Sequence, residues 1–159
     1  MENDPLLRRE LIRLCGAEIY TAGRLNRPLM SRLIFSNSDL LQAVNSVVHP
    51  AVAHDFDAWS ARQSGHPYLV QESALLFESG AWERFDVVVL VTAPEAVRTA
   101  RVLNRPGMTV EKIRAIVKNQ LAEEEKIVRS HVVFHNDGNN LILPGIVALH
   151  TTLAHPDKR

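Results

Sequence analysis

Along residues 5–60 the apolar positions recur at helical spacing. Leu7, Leu11 and Leu14 stand at i, i+4 and i+7, preceded by Asp4 as an N-cap and Pro5 at the first helical position, and followed by Gly16 as a terminator. That pattern predicts a capped amphipathic helix. Further helices are expected over 27–35 and over 39–48, the latter capped by Ser38. Pro50 is expected to open another, with Val52, Phe56 and Trp59 on one face and Gly65 at its end.

From Pro67 the period changes. Residues 68–71, 86–92 and 131–135 are short runs rich in β-branched and aromatic residues, separated by helical sequence. Strands alternating with helices predict parallel pairing, and the near-continuous apolar run over 87–91 suits a strand covered on both faces. Ligands of such sheets bind beyond the carboxyl ends of the strands. Attention therefore falls on 72–78, 93–105 and 136–140.

Composition narrows the classes. The chain has 159 residues, 46% of them hydrophobic, enough for one ordinary core. Eighteen basic residues balance eighteen acidic ones, so no global field favours nucleic acid or a membrane surface, and any anion site must be local. A single cysteine, Cys15, excludes an internal disulfide framework and is expected to pack in the core. The opening MENDPLLRRE lacks the apolar run of a secretion signal, and the longest apolar stretch, 87–93, is too short to cross a bilayer. The expected compartment is the cytoplasm.

The candidate chemistry centres on arginine. On a helix opening at Pro94, Arg98, Arg101 and Arg105 stand at i, i+3 and i+7 and share a face. Three planar guanidiniums suit a polyphosphate; the competing reading is a solvated helix face. The Arg-Pro-Gly-Met segment after them breaks the helix as a lid hinge would. A second helix follows from an N-cap at Thr109 through Ile113, Ile116, Val117 and Leu121, making a helical hairpin between strands. Gln120, Glu123 to Glu125 and Lys126 are expected in solvent-facing turns. Glu72, just past the expected strand 68–71, could hold a metal-bound water or make ordinary helix-entry hydrogen bonds. His131 and His135 stand about 13 Å apart at standard strand rise, too far for a common metal ion. His49, before Pro50, is expected to pack at a helix corner.

Read in order, the chain contains GRLNRPLMSRLIFSNSDLLQAVNSVVHP, ESALLFESG, VVVLVTAPEAVRTARVLNRPGMT, NQLAEEEK and VVFHNDG. The succession resembles the dephospho-CoA kinases. It is carried by Gly23-x-Leu25-x-Arg27 with a following His49-Pro50, by Leu75-Leu76-Phe77-Glu78, and by the Pro94-Glu95 turn leading to Arg101-x-x-x-Arg105. The resemblance implies an enzyme that phosphorylates the ribose 3′-hydroxyl of dephospho-CoA with ATP and Mg²⁺, the last step of coenzyme A synthesis. It implies an α/β fold of the P-loop NTPase type, a parallel sheet with helices on both faces. A helical acceptor segment would occupy 1–66, an α/β core 67–93 and 131–159, and a helical lid 94–130. By matching position, Arg101 and Arg105 fall on lid arginines that face ATP in catalysis, and Asn136 and Gly138 fall in the loop beside adenine. Arg27, His49, Leu75, Leu76 and Phe77 fall in segments that shape the acceptor pocket, and Glu72 takes the place of an acidic residue at a strand end. Arg98 belongs to no such motif.

Three departures stand out. Ala74 replaces the family's usual proline, and Ser130-His131 replaces its usual Ala-Asp. The family's first two strands, its glycine-rich phosphate loop and its catalytic aspartate have no counterpart before Asp4. From this the chain is expected to be a truncated form, inactive in phosphoryl transfer but retaining affinity for the acceptor. Loss of a strand buried on both faces would expose hundreds of square ångströms, at ~25 cal/mol per Å² comparable to a domain's net stability. A homo-oligomer formed through the incomplete sheet, or a rearranged sheet, is the expected remedy. The alternatives are a non-catalytic module binding a CoA-like nucleotide and a helical interaction domain without a ligand.

Overall fold

In the computed structural model, which describes residues 1–155, the first helix begins where the sequence places its cap. α1 (Pro5–Cys15) is capped by the Asp4 carboxylate, which accepts the N–H groups of Leu6 and Leu7 at 2.9 and 3.0 Å. Gly16, at φ 89°, closes its other end with an N–H donated to the Ile12 carbonyl. The inner stripe of α1 is Leu7, Leu11 and Cys15, all buried, with Leu14 half-buried beside them. Cys15 thus packs as expected, and burial pushes its thiol upward in pKa, away from reactivity.

After a short 3-10 turn, β1 (Tyr20–Thr21) and β2 (Arg24–Leu25) form an antiparallel hairpin. Its two loop residues, Ala22 and Gly23, both have positive φ, the geometry that matches hairpin twist. Asn26 caps α2 (Arg27–Phe35), which contributes the buried Met30. The next helix departs from expectation. Residues 39–48 and the segment opened by Pro50 are one helix, α3 (Ser38–Ser60), capped by Asn37 rather than Ser38. The Asn37 side-chain oxygen takes two orphan N–H groups, those of Asp39 and Leu40. Pro50 deprives the Ser46 carbonyl of its helical donor, yet Val44, Val47, Val48 and Ala51 line the core on both sides of it. Packing on α1 and α2 carries the helix through the break. Beyond Ala51 the expected apolar face is only partly covered: Val52 and Trp59 are exposed, and the Phe56 and Trp59 rings meet at 5.6 Å. These elements form one compact unit, Met1–His66.

The second unit begins at Pro67. Its sheet is the parallel pair β3 (Val89–Thr92) and β4 (Val132–His135), in the register Val89 to Val132 through Thr92 to His135. Parallel pairing is as predicted; the extent is not. Residues 68–71 form no strand, because no described segment offers them a ladder, and β-branched composition alone does not make one. The run 87–91 is covered on one face only. Val88 and Thr92 are buried, while Val89 and Val91, on the alternate side, are 39% and 57% exposed. The expected helices on both faces therefore give way to a sheet of two strands with one open face.

Between the strands, α4 (Glu95–Leu103) and α5 (Val110–Lys118) pack as the predicted hairpin, α5 capped by the Thr109 hydroxyl. Gly107, at φ 75°, makes the turn, and its carbonyl accepts Lys112 Nζ at 2.6 Å. A short helix, α6 (Glu123–Val128), precedes β4, and α7 (Leu143–Ala154) follows it. Residues 156–159, the tail of the expected core segment, lie outside the described residues.

The charges of α6 overturn another expectation. Lys126 Nζ pairs with Glu78 Oε1 at 2.8 Å, both side chains largely buried, and Glu123 pairs with Arg98. The two residues that looked like solvated charges turn inward because each has an opposite charge waiting. Burial alone would raise the Glu78 carboxyl; hydrogen bonds from Lys126 and from the Leu121 N–H outweigh it and hold the group below the ordinary carboxylate range.

Leu11→Ala should destabilise the first unit by about 2–5 kcal/mol, read from urea unfolding, since the residue is fully buried among neighbours that cannot all collapse into the void. A loss under about 0.5 kcal/mol would show a core looser than described. A second expectation concerns pH. A depressed carboxyl contributes stability that is present above its unfolded pKa and lost as pH falls through the folded one. Glu78→Gln should therefore lower stability at neutral pH, and the gap to wild type should narrow once pH falls below the ordinary carboxylate range. A gap that stays constant from neutral to acidic pH would contradict it.

Candidate functional site

The carboxyl ends of β3 and β4 are tied together before any side chain takes part. One residue beyond the ladder, the Asn136 N–H donates to the Thr92 carbonyl at 2.7 Å. Over these ends lies the arginine face of α4. Arg101 Nη1 donates to the Asn136 carbonyl at 2.7 Å. Arg98 reaches the Glu123 carboxylate, which also accepts the hydroxyl of the buried Thr92. One arginine thus engages the end of β4 directly, and the other engages the end of β3 through a carboxylate. Arg98 and Arg101 are both exposed and both tethered, and Arg98 is already neutralised. Arg105 stands past the end of α4, exposed, at the entrance to the Pro106-Gly107 turn.

The loop after β4 is shaped by its own polar residues. Asp137 accepts the backbone N–H groups of Asn139 and Asn140 at 2.8 and 3.0 Å and the Asn140 side-chain amide at 2.8 Å. Those donors, Asn140 before Asn139, hold its carboxyl below the ordinary range. Gly138 adopts φ 94°, where a side chain would be strained, and a Cβ there would lie 3.9 Å from Arg101 Nη2. The structure therefore brings Arg101, Asn136 and Gly138 to one place. Chemically this is a guanidinium with N–H groups to spare beside a backbone loop with no side chain at its tip. A planar or anionic ligand could approach both.

The remaining predicted residues are divided between the units. Arg27, exposed, is the first residue of α2, and His49 is half-buried within α3, mid-helix rather than at the corner expected of it. Leu75, Leu76 and Phe77 sit in consecutive turns over 74–80, where Ser79 N–H donates to the Leu75 carbonyl and Gly80 N–H to that of Phe77. Phe77 is buried, 6.3 Å from the Trp82 ring. Glu72 is exposed in an irregular stretch, not at the end of a strand, because 68–71 is not one. Among the described residues no group of three His, Cys, Asp or Glu side chains could hold a metal ion. His131 has another role: its Nδ1 accepts the Val88 N–H at 3.0 Å. A cleft of about 350 Å³ between α4 and α5, lined by Glu95, Thr99, Ile113 and Arg114 among others, contains none of the predicted site residues.

Sequence reasoning missed Thr92, Glu123, Glu78 and Lys126 as partners. Thr92 carried no signal beyond ending a strand. Glu78 and Lys126 did carry one, since Glu78 lies within the quoted motif ESALLFESG and Lys126 closes NQLAEEEK, and neither charge was given a partner.

The family model described as dephospho-CoA kinase matches residues 2–141. The dephospho-CoA kinase of Bacteroides fragilis (strain YCH46) is 35% identical over 146 residues, covering 92% of this chain and 71% of its own length. That of Porphyromonas gingivalis is 34% identical over 154 residues, covering 96% and 75%. The crystal structure of TT1252 from Thermus thermophilus superposes with a TM-score of 0.73 at 36% identity, covering 92% of this chain and 75% of that one. With motifs in order, a parallel strand pair whose ends meet an arginine-bearing helix, and a family match over most of its length, the chain belongs to the dephospho-CoA kinase family.

Proposed function

We propose that this chain contributes acceptor-binding and lid residues to the ATP-dependent phosphorylation of the ribose 3′-hydroxyl of dephospho-CoA, with ATP held at the strand ends under the α4–α5 hairpin. The observation that carries the reading is the meeting of Arg101 with Asn136 and Gly138. The loop 136–140 would receive adenine, whose flat face suits a glycine tip. Arg101 would exchange its carbonyl acceptor for phosphate oxygens, a stronger, charge-assisted contact. Arg105, carried on the Pro106-Gly107 hinge, would join it as the hairpin closes. Negative charge spreads over the moving phosphoryl group in the transition state, and the two guanidiniums, once brought beside it, would offset that charge.

Mg²⁺ supplies further charge neutralisation when bound with the nucleotide. Glu72, which the family resemblance matches to an acidic residue, would hold it through water. For acceptor recognition the candidates are Arg27 and His49 in the first unit and, separately, Leu75, Leu76 and Phe77 in the second. An arginine and an imidazole suit phosphate oxygens, and the apolar turn suits the pantetheine arm or the base.

Calorimetric titration tests the reading. ATP with Mg²⁺ and dephospho-CoA should each bind saturably. Arg101→Ala should weaken ATP by roughly tenfold to a hundredfold, the worth of a charged hydrogen bond, while dephospho-CoA stays within about twofold. Dephospho-CoA binding without ATP binding would replace the kinase reading by a non-catalytic nucleotide module, and binding of neither would overturn both.

A further inference from the structure

α6 carries opposite charges at i and i+3, and each has a partner in a different part of the second unit. Glu123 meets Arg98 of α4 and Thr92 at the end of β3. Lys126 meets Glu78, the residue that directly follows Phe77 in the turns over 74–80. The same Glu78 Oε1 also accepts the Leu121 N–H at 2.8 Å, just ahead of α6, so one oxygen fastens both the entrance and the body of the connector. The two side chains keep only 17% and 13% of their exposure. Glu78 Oε2 is buried as well, with no partner among the described residues.

A pair so placed is poorly explained by stability alone. Apolar residues of the same volume often hold a buried position as well as an ion pair does, whereas an ion pair with a directed backbone bond fixes one geometry. The geometry fixed here links the turn carrying Leu75, Leu76 and Phe77 to α6, and α6 to the face of α4 that bears Arg101 three residues beyond Arg98.

We propose that Glu78 and Lys126 are a positioning pair, which ties the acceptor turn to the base of the lid so that a nucleotide acceptor on the turn is felt at the lid arginines. The idea rests on the proposed function for the identity of the acceptor, and on the contacts alone for the tie. Neither residue would touch the reacting atoms. Each acts through α6, whose two ends of contact must move together.

Hydrogen exchange followed by mass spectrometry on the full chain tests it, with Glu78→Gln, Lys126→Met and Lys126→Arg beside wild type. In wild type, saturating dephospho-CoA should slow exchange over 95–118 by about fivefold or more, the lower range of a site-to-site coupling. Glu78→Gln and Lys126→Met should bind dephospho-CoA within about threefold of wild type yet lose that slowing, and Lys126→Arg, which keeps the charge, should restore it. A merely structural pair would alter exchange everywhere equally and leave the response to ligand in place, which would overturn the proposal. So would a wild type that binds dephospho-CoA with no slowing over 95–118. If Lys126→Met fails to fold, Glu78→Gln, which can still accept the Leu121 N–H, decides the matter. Should wild type not bind dephospho-CoA, the functional reading fails, and the tie is judged without ligand. The variants must then speed exchange over 119–128 and 95–103 by about tenfold, and unchanged rates would refute it.

Discussion

The hydrogen bond from the Asn136 N–H to the Thr92 carbonyl, continuing the β3–β4 ladder one residue past the strands, is the constraint on which the rest of the second unit depends. It fixes where two loops leave a parallel pair. From that fixed point Thr92 presents its hydroxyl to Glu123 and Asn136 presents its carbonyl to Arg101, so α4 is anchored above both strand ends. Parallel strands need a crossover, and here the crossover is the α4–α5 hairpin followed by α6. The connection that topology demands is thus also the element that bears the proposed site.

Charge placement follows the same logic. The chain has no net charge, so its field cannot draw an anion from a distance. Local arginines must do the work, and they are kept from collapsing onto arbitrary partners by being paired in advance. Arg98 is neutralised by a carboxylate, whereas Arg101 rests on a neutral carbonyl. A carbonyl is the weaker partner of the two. An incoming phosphate would displace it more readily than it could displace Glu123. The structure therefore distinguishes two arginines on one helical face: Arg98 is held by a carboxylate, and Arg101, held only by a carbonyl, is the one the proposed function assigns to the ligand.

Much of this was legible in the residues themselves. Asp4, Pro5 and Gly16 mark the ends of α1 because capping depends on local hydrogen bonds, and Thr109 marks the start of α5 for the same reason. Parallel pairing followed from strands alternating with helices. What could not be read depends on distant partners. Residues 68–71 have strand composition but no ladder, Val89 and Val91 have core composition on an open face, and Pro50 lies inside a helix because packing on α1 and α2 outweighs one lost bond. The site shows the same division. Arg101, Asn136 and Gly138 came from motif position and do converge, whereas the inward turn of Glu123 and Lys126 needed Arg98 and Glu78, residues far away in sequence.

The central claim is that nucleotide binds at the strand ends under the arginine face of α4, and backbone amide chemical shifts recorded during titration with ATP and Mg²⁺ test it most directly. The account predicts the largest changes over 98–105 and 136–140, with residues lining the α4–α5 cleft, such as Ile113 and Val117, shifting less. Changes concentrated in that cleft, or none at residues 136–140, would contradict it.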